Sequence, residues 1–334
     1  MARISATWTQ IASGERLRRS SQAVSVLGNH AYIFGGELIA RQPVDSQIDV
    51  VELKAGQDSA SIETLPASSS GPSPRVGSPS TVLGDAFYIF SGRGGLAMEP
   101  VEENGGLWRF TPSGNKWDFI KAEMKTHSPF PAGRSYHCIA TDGADHIFVH
   151  AGCPEKGRLA DLWSFNVTSK TWVQLPDAPL PARGGPSIAY YDGKIYRMNG
   201  FDGKTERGGA VDIFNLTSQT WSTFSFGADG IDGPEARSVS AVLTISIQGK
   251  AHLVTLFGER DPSSLGHAGA GKMLEDVWAF DIEGQTWSKV DTQGTPPAPR
   301  GWFDADATRD AVIVHGGLAE DNSRLGDIWE LKFI

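Results

Sequence analysis

One loop of the chain concentrates residue types that do chemistry: Gly258-Glu259-Arg-Asp261-Pro-Ser263-Ser-Leu-Gly-His267-Ala-Gly-Ala-Gly271. Two carboxylates and an imidazole within nine residues are the ligand types of a divalent iron site with open positions. The same residues also occur on ordinary solvated loops, and spacing alone leaves both readings open. A second set comes from six short apolar strands that each end in a glycine step: Tyr-Ile-Phe-Gly35-Gly36, Tyr-Ile-Phe-Ser-Gly92, Phe-Val-His-Ala-Gly152, Tyr-Arg-Met-Asn-Gly200, Thr-Leu-Phe-Gly258 and Ile-Val-His-Gly316-Gly317. The residues that follow are Glu37, Arg93, Cys153, Phe201, Glu259 and Leu318. Gathered around one mouth, they would suit a polar small molecule or a metal, or their charges would simply cancel.

What gathers them is a repeat. Leu-Trp108-Arg-Phe-Thr-Pro-Ser-Gly-Asn-Lys-Trp117, Leu-Trp163-Ser-Phe-Asn-Val-Thr-Ser-Lys-Thr-Trp172 and Val-Trp278-Ala-Phe-Asp-Ile-Glu-Gly-Gln-Thr-Trp287 each read as a hairpin with tryptophans nine apart. A fourth copy ends in Trp221 and has Asp212 where its first tryptophan should stand. The glycine steps recur 48 to 60 residues apart, and an arginine precedes each: Arg19, Arg75, Arg134, Arg183, Arg237 and Arg300. Six copies of about 50 residues, each able to make four strands, match a kelch-type propeller. The expected fold is therefore all-β, a six-bladed kelch β-propeller over residues 1–334 as one domain. The chain stops at a third strand, Asp-Ile-Trp329-Glu-Leu-Lys-Phe-Ile, and Thr-Trp8-Thr-Gln-Ile resembles the missing fourth, so the N-terminal strand should close the last blade. Crowding of inner strands around the axis explains the glycines, and filling between stacked sheets explains the tryptophans.

Composition narrows the function classes. With 21% charged residues, 40% hydrophobic residues and a net charge of −9, the chain reads as soluble and globular, and its scattered lysines and arginines argue against nucleic acid. No apolar run is long enough for a membrane span or a secretion signal, so a cytoplasmic location is expected. Two cysteines, Cys138 and Cys153, are too few for a disulfide framework or a four-ligand zinc site.

At this point the chain resembles the plant specifier proteins (epithiospecifier, thiocyanate-forming and nitrile-specifier proteins), stand-alone kelch propellers that direct the breakdown of glucosinolate aglycones. The resemblance runs the full length. It rests on Arg19-Ser-Ser, Phe-Gly-Gly36-Glu37-Leu, Gly92-Arg93, Arg183-Gly-Gly, Gly193-Lys-Ile, Gly233-Pro-Glu-Ala-Arg237-Ser-Val, the Gly258 to Gly271 loop, Pro299-Arg300-Gly-Trp302 and His315-Gly-Gly. It implies an iron(II) site of Glu, Asp and His spaced four apart, onto which Glu259 and His267 map. The middle position is Ser263, with Asp261 two residues earlier. It further implies that Arg93 holds an anionic group, that Trp302 lines the pocket and that Tyr136 walls it.

Three functions follow as expectations. The first is a lyase or isomerase acting on a reactive small molecule through Arg93, Glu259, His267 and Trp302, with Glu37, Tyr136, Cys153, Phe201 and Leu318 lining the pocket. Iron(II) would sit on Glu259, Asp261 and His267, or no cofactor would bind if Ser263 abolishes the site. The second is a cofactor-free cyclase or pericyclic catalyst of Diels-Alder type in secondary metabolism. The third is a protein-interaction adaptor with a protein partner. A monomer or weak dimer is expected, with neither nucleic acid nor membrane as partner.

Overall fold

A computed structural model describes residues 3–54, 60–123 and 129–334. They build six antiparallel blades of four strands each. The first blade contains Ser20–Leu27, His30–Ile39, Ile48–Glu52 and Ile62–Leu65; the second Ser80–Leu83, Ala86–Phe90, Leu107–Thr111 and Lys116–Ile120. The third contains Cys138–Thr141, His146–His150, Leu162–Asn166 and Thr171–Leu175; the fourth Ser187–Tyr191, Lys194–Met198, Ala210–Asn215 and Thr220–Ser225. Ala241–Ile247, Lys250–Leu256, Val277–Asp281 and Thr286–Lys289 make the fifth. The sixth joins Asp304–Ala307, Ala311–His315 and Asp327–Phe333 to the N-terminal strand Ser5–Ser13, with Trp8 opposite Leu331. A short strand, Asp291–Gln293, adds a parallel partner to Ser5–Thr7 that the repeat does not foretell.

The first strand of each blade packs against the first strand of the next, and the sixth against the first, closing a ring around the axis. This corrects one expectation. The strands that end in the glycine step are the second of each blade, not the innermost. Their glycines answer a local constraint: at Gly258 φ is +108°, and a Cβ would lie 2.9 Å from the Ser238 carbonyl oxygen and 2.8 Å from the Ser240 Cβ. Both the left-handed backbone and the close approach require glycine there. The tryptophans do fill gaps between blades, as Trp117 shows by meeting Phe34 of the first blade at 5.2 Å and Phe87 of its own at 5.4 Å.

Four of the first tryptophans of each pair also have a polar role, in a frame built from the six repeated arginines. Arg19, Arg75, Arg134, Arg183, Arg237 and Arg300 are all buried. Each donates from Nη1 to the carbonyl just before its blade's glycine step, for example Arg237 to Phe257 at 2.9 Å and Arg300 to Gly316 at 3.0 Å. Each also meets a carboxylate from the third strand or the loop leading to it. Arg134 is bidentate to Asp161 at 2.6 and 2.9 Å, Arg237 to Asp276 at 2.6 and 3.0 Å, and Arg300 to Asp327 at 2.7 and 2.9 Å. The indole N–H of Trp163, Trp278 and Trp329 donates to the same carboxylate at 2.7 Å, and Trp108 does so to Glu103, the partner of Arg75. A bidentate pair with its spare lone pair satisfied is what makes a buried charge tolerable.

The two blades that lack this tryptophan compensate with an extra arginine and a threonine. In the first, Asp49 pairs with Arg19 and accepts from Arg16 and Thr64. In the fourth, Asp212 occupies the tryptophan position itself. It accepts from Arg197 at 2.7 Å and Thr223 at 2.7 Å and keeps Arg183 at 3.7 Å.

Side chains also stitch neighbouring blades across the axial channel. Asp304 and Asp306 of the sixth blade accept the main-chain N–H groups of Val24 and Val26 at 2.7 Å. Ser80 and Thr244 donate to carbonyls of Val24 and Tyr190. Among the described residues no helix is long and apolar enough to cross a membrane.

Two outcomes follow. Asp276→Ala leaves the Arg237 guanidinium buried and unpaired, and should cost about 3–5 kcal/mol in urea unfolding. Burial, the largest influence, raises the Asp304 carboxyl from 3.8 to about 8, so folding favours its protonated form. That stabilisation is complete below the unfolded value of 3.8 and is lost as pH rises through about 8. Asp304→Asn, which keeps an oxygen for Val24, should therefore gain stability relative to the parent as pH is raised across that window, read as the difference between their thermal midpoints.

Candidate functional site

The arginine frame sets the axis. Two residues beyond each repeated arginine stand Ser21, Gly77, Tyr136, Gly185, Val239 and Trp302, all with φ between 45° and 60°. Their main chains form a closed hydrogen-bonded ring. Gly77 N–H donates to Ser21 at 2.9 Å, Tyr136 to Gly77 at 2.8 Å, Gly185 to Tyr136 at 2.8 Å, Val239 to Gly185 at 3.0 Å, Trp302 to Val239 at 3.1 Å and Ser21 to Trp302 at 2.7 Å. A left-handed valine is costly by itself, and closure of the ring is what holds it. Two of the six positions are glycine. A Cβ at Gly77 would lie 3.0 Å from the Tyr136 ring, and one at Gly185 would lie 2.9 Å from Val239 Cγ1. The axis thereby keeps room for the large side chains of Tyr136 and Trp302.

Tyr136, Gly185, Val239 and Trp302 separate two cavities. On one side the channel between the innermost strands encloses about 370 Å³. On the other, a mouth cavity of about 190 Å³ is walled by Cys153, Arg158, Phe201, Glu259 and the Pro262–His267 stretch. Of the expected residues, the structure brings Tyr136, Cys153, Phe201, Glu259, His267 and Trp302 to this cavity. His267 comes in from a short 3-10 turn, Gly266–Ala268. Its imidazole stacks on Tyr136 at 5.7 Å and 14° and meets Trp302 edge-on at 5.3 Å, while Tyr136 and Trp302 meet at 5.1 Å.

Three expected residues lie elsewhere. Glu37 is buried against Arg324 at 3.4 Å, and Leu318 is buried in the sixth blade. Arg93 is a clip between the second and third blades: Nε donates to Ser135 Oγ at 3.2 Å, Nη1 to Met98 O at 2.9 Å and Nη2 to Pro154 O at 3.0 Å. Most of its donors are committed to the protein, so an anion there would compete with these oxygens.

The residue that sequence reasoning missed is Arg158. Its guanidinium lies 4.9 Å over the Phe201 ring and has no carboxylate partner among the described residues. One glycine makes room for it: a Cβ at Gly203 would lie 3.0 Å from Arg158 Nη1, whereas one at Gly184 would clash with Cys153 Sγ at 2.5 Å and meet Arg158 Nε only at an ordinary contact distance of 3.6 Å. The available signal was Arg158 lying six residues past the third glycine step, directly after Gly157. Glu206, opposite Phe201 in its hairpin, is the second omission. Burial first, then Glu259, Asp261 and Asp202, push its carboxyl up to about 7.

The electrostatics of the cavity favour neutral groups near a cationic wall. Partial burial of the ring against Tyr136 and Trp302, in a residue that otherwise stays exposed, followed by Arg41, Arg93 and Arg158, lowers the His267 pKa below its usual value, so the neutral form is favoured at pH 7. Burial raises Glu259, opposed by the Gly271 N–H at 2.7 Å and by Trp302, whose indole N–H stands near but outside hydrogen-bond geometry. Burial also raises the Cys153 thiol, which stays protonated.

The expected iron ligands do not fit a metal in this arrangement. Asp261 is 68% exposed and faces Arg260 at 3.8 Å, and Ser263 supplies the side chain at the middle position. Among the described residues the one group of three potential ligands within 4.8 Å is Asp142, Asp145 and His146, on a turn of the third blade. His150 and His315, which precede glycine steps, are fully buried and bonded to the carbonyls of Asp161 and Leu17.

Fold and site together define a closed propeller with a small cavity at one mouth. The KLHDC2/KLHL20/DRC7 Kelch-repeats domain matches residues 21–258, and the chain belongs to the kelch-repeat family. It is 25% identical to N-(sulfonatooxy)prop-2-enimidothioate sulfolyase of Thlaspi arvense, over 93% of this chain and 91% of that protein. It is 26% identical to the Kelch-like protein terF of Aspergillus terreus, over 91% of this chain and 62% of that protein. Human host cell factor 2 is 26% identical over 75% of this chain, which spans 32% of its length. Among solved structures, YjhT superposes with a TM-score of 0.71 at 14% identity, covering 97% of this chain and 99% of its own. That likeness is one of fold.

Replacing Arg158 with glutamine removes one of the three charges that depress His267. The His267 pKa should then rise towards 6.5 without reaching it, since burial remains, and an NMR titration of the imidazole measures this.

Proposed function

We propose that the mouth cavity binds a small anionic molecule and promotes lyase- or isomerase-type conversion of a reactive intermediate. The observation that carries this reading is Arg158, a cation over an aromatic face with no carboxylate partner among the described residues, beside Gly203 at a cavity wall. Arginine binds oxyanions through its planar fork, and the Phe201 face holds that fork in place. The name of the Thlaspi relative describes an anionic substrate, an imidothioate that carries a sulfonatooxy group on its nitrogen and a short alkenyl chain.

Beside the anion stand a neutral imidazole and a carboxyl biased towards its protonated form. In an elimination or isomerisation Glu259 would exchange a proton with the departing or rearranging group. The geometry supports a reaction steered by these side chains without iron(II). A cofactor-free cyclisation draws on the same walls, with Tyr136, Phe201 and Trp302 setting the substrate's shape.

A protein-docking role is the second reading. Leu38, Ile39, Leu96 and Leu265 are exposed at the tips of hairpins following the glycine steps, and host cell factor 2 shows that relatives embed such repeats in much longer chains. The two readings part on Arg158, which lies inside the cavity rather than on the hairpin tips.

Calorimetric titration with butyl sulfate tests the first. Saturable binding to the parent and at least tenfold weaker binding to Arg158→Ala, with an unchanged thermal midpoint and no effect of a chelator, is the expected result. Equal binding by the two proteins would overturn the proposal.

A further inference from the structure

The imidazole of His267 is held as a flat ligand would be. One face lies nearly parallel to Tyr136, at 14° and 5.7 Å, and Trp302 closes the slot almost at right angles, at 74° and 5.3 Å. Offset stacking on one ring and edge contact with another is the geometry in which aromatic groups attract one another. Tyr136 and Trp302 are immobile partners, because their main chains belong to the closed ring around the axis. His267 is not anchored in that way. It rides on Asp261–Gly271, which crosses the mouth with Leu265 71% exposed at its crest.

The hydrogen bonds of that segment lie mostly within itself, with Gly266 N–H on Ser263 O at 3.0 Å, Ala268 N–H on Leu265 O at 3.3 Å and Gly269 N–H on Gly266 O at 3.1 Å, and few tie it to the rest of the chain. Leu265 N–H bonds Ser263 Oγ within the loop, Asn322 reaches Ala268 O at 3.1 Å, and Gly271 N–H bonds Glu259 at its far end. His267 has no hydrogen-bond partner of its own among the described residues. Gly266, with φ of +56° and open space around it, supplies backbone freedom beside the imidazole, whereas Gly269 and Gly271 are required by close approach, since a Cβ would lie 2.3 Å from Ser263 Oγ and 2.6 Å from the Asp261 carbonyl oxygen. Loops that move over a site are drawn from segments with few stabilising contacts.

We propose that His267 is a removable stopper in an aromatic slot, and that the ligand of the mouth cavity is a flat aromatic anion whose ring replaces the imidazole against Tyr136 while its charged group reaches Arg158. The inference rests on the anion-binding reading above and adds the shape of the ligand and the movement that admits it. The slot opens when the Asp261–Gly271 segment lifts, and filling it with a ligand ring keeps the stacking that the imidazole gave. The protein's own side chain therefore competes with the ligand.

The test compares 2-naphthyl sulfate with butyl sulfate, two probes with the same head group, in calorimetric titrations of the parent, His267→Ala and His267→Phe. His267→Ala should bind 2-naphthyl sulfate at least fivefold more tightly than the parent, and any change in its affinity for butyl sulfate, which has no ring to fill the slot, should be smaller than that gain. His267→Phe, which leaves a ring in the slot, should keep the parent's affinity or weaken it. Unchanged or weaker naphthyl sulfate binding by His267→Ala overturns the stopper. If butyl sulfate still binds and Arg158→Ala still abolishes it, that failure belongs to the stopper alone. If neither sulfate binds the parent, the anion-binding reading falls and takes the stopper with it.

Discussion

Burying six arginines in a chain of this size is tolerable only if each finds a carboxylate and a carbonyl, and that requirement organises the whole molecule. Each guanidinium ties the entry to its blade's first strand to the exit of the second and to the third or its approach. Three strands are thus held by one side chain through directional bonds in a dry environment, where a lost partner costs far more than a surface pair would. The tryptophan that completes the carboxylate meets a second that packs between blades, as Trp108 meets Trp117 edge-on while Trp117 reaches Phe34, so polar satisfaction and hydrophobic filling are coupled through one pair. The fourth blade shows the constraint from its exception: the carboxylate moves into the tryptophan's place, and Arg197 is drawn in to balance it.

The site depends on this frame at one remove. Because each arginine is fixed, the residue two places on is delivered to the axis with a left-handed backbone, and six such residues bond in a circle. Their side chains are then free to differ. Two glycines, one serine and one valine leave the throat to Tyr136 and Trp302, and these two rings form the floor on which the mouth cavity rests. Loops from the third, fourth and fifth blades add Cys153, Arg158, Phe201, Glu259 and His267. The chemistry is therefore asymmetric on a nearly symmetric scaffold, with the charged clips Arg93 and Glu37–Arg324 on the other side bracing the hairpins.

Much of the fold was legible because its determinants are periodic. Tryptophan pairs nine apart, glycine steps and preceding arginines mark six blades, and the resemblance of the Trp8 segment to the Trp287 segment foretells closure by the N-terminal strand. The carboxylates of the frame stand in the sequence as Asp161-Leu-Trp163, Asp276-Val-Trp278 and Asp327-Ile-Trp329, but nothing in that spacing tells that a buried arginine rather than water will meet them. The mouth was legible in part. Counting from the glycine step finds Cys153, Phe201 and Glu259, whereas Glu37, Arg93 and Leu318 occupy the same position in the repeat and turn to structural partners.

The sequence by itself determined the blade count, the closure and the residue types around the axis, since each follows from spacing that any fold of this repeat must respect. Only the tertiary structure decided which arginine stays free. Arg93 gives most of its donors to Met98 of its own blade and to Ser135 and Pro154 of the next, and Arg158 lies over Phe201 where Gly203, distant in the chain, leaves room for it. It likewise decided that Asp261 turns outward to Arg260 while His267 turns inward to Tyr136. The physical reason is the same in both cases: a side chain's direction depends on which partners, brought from other blades, satisfy or exclude it, and those partners have no fixed distance along the chain.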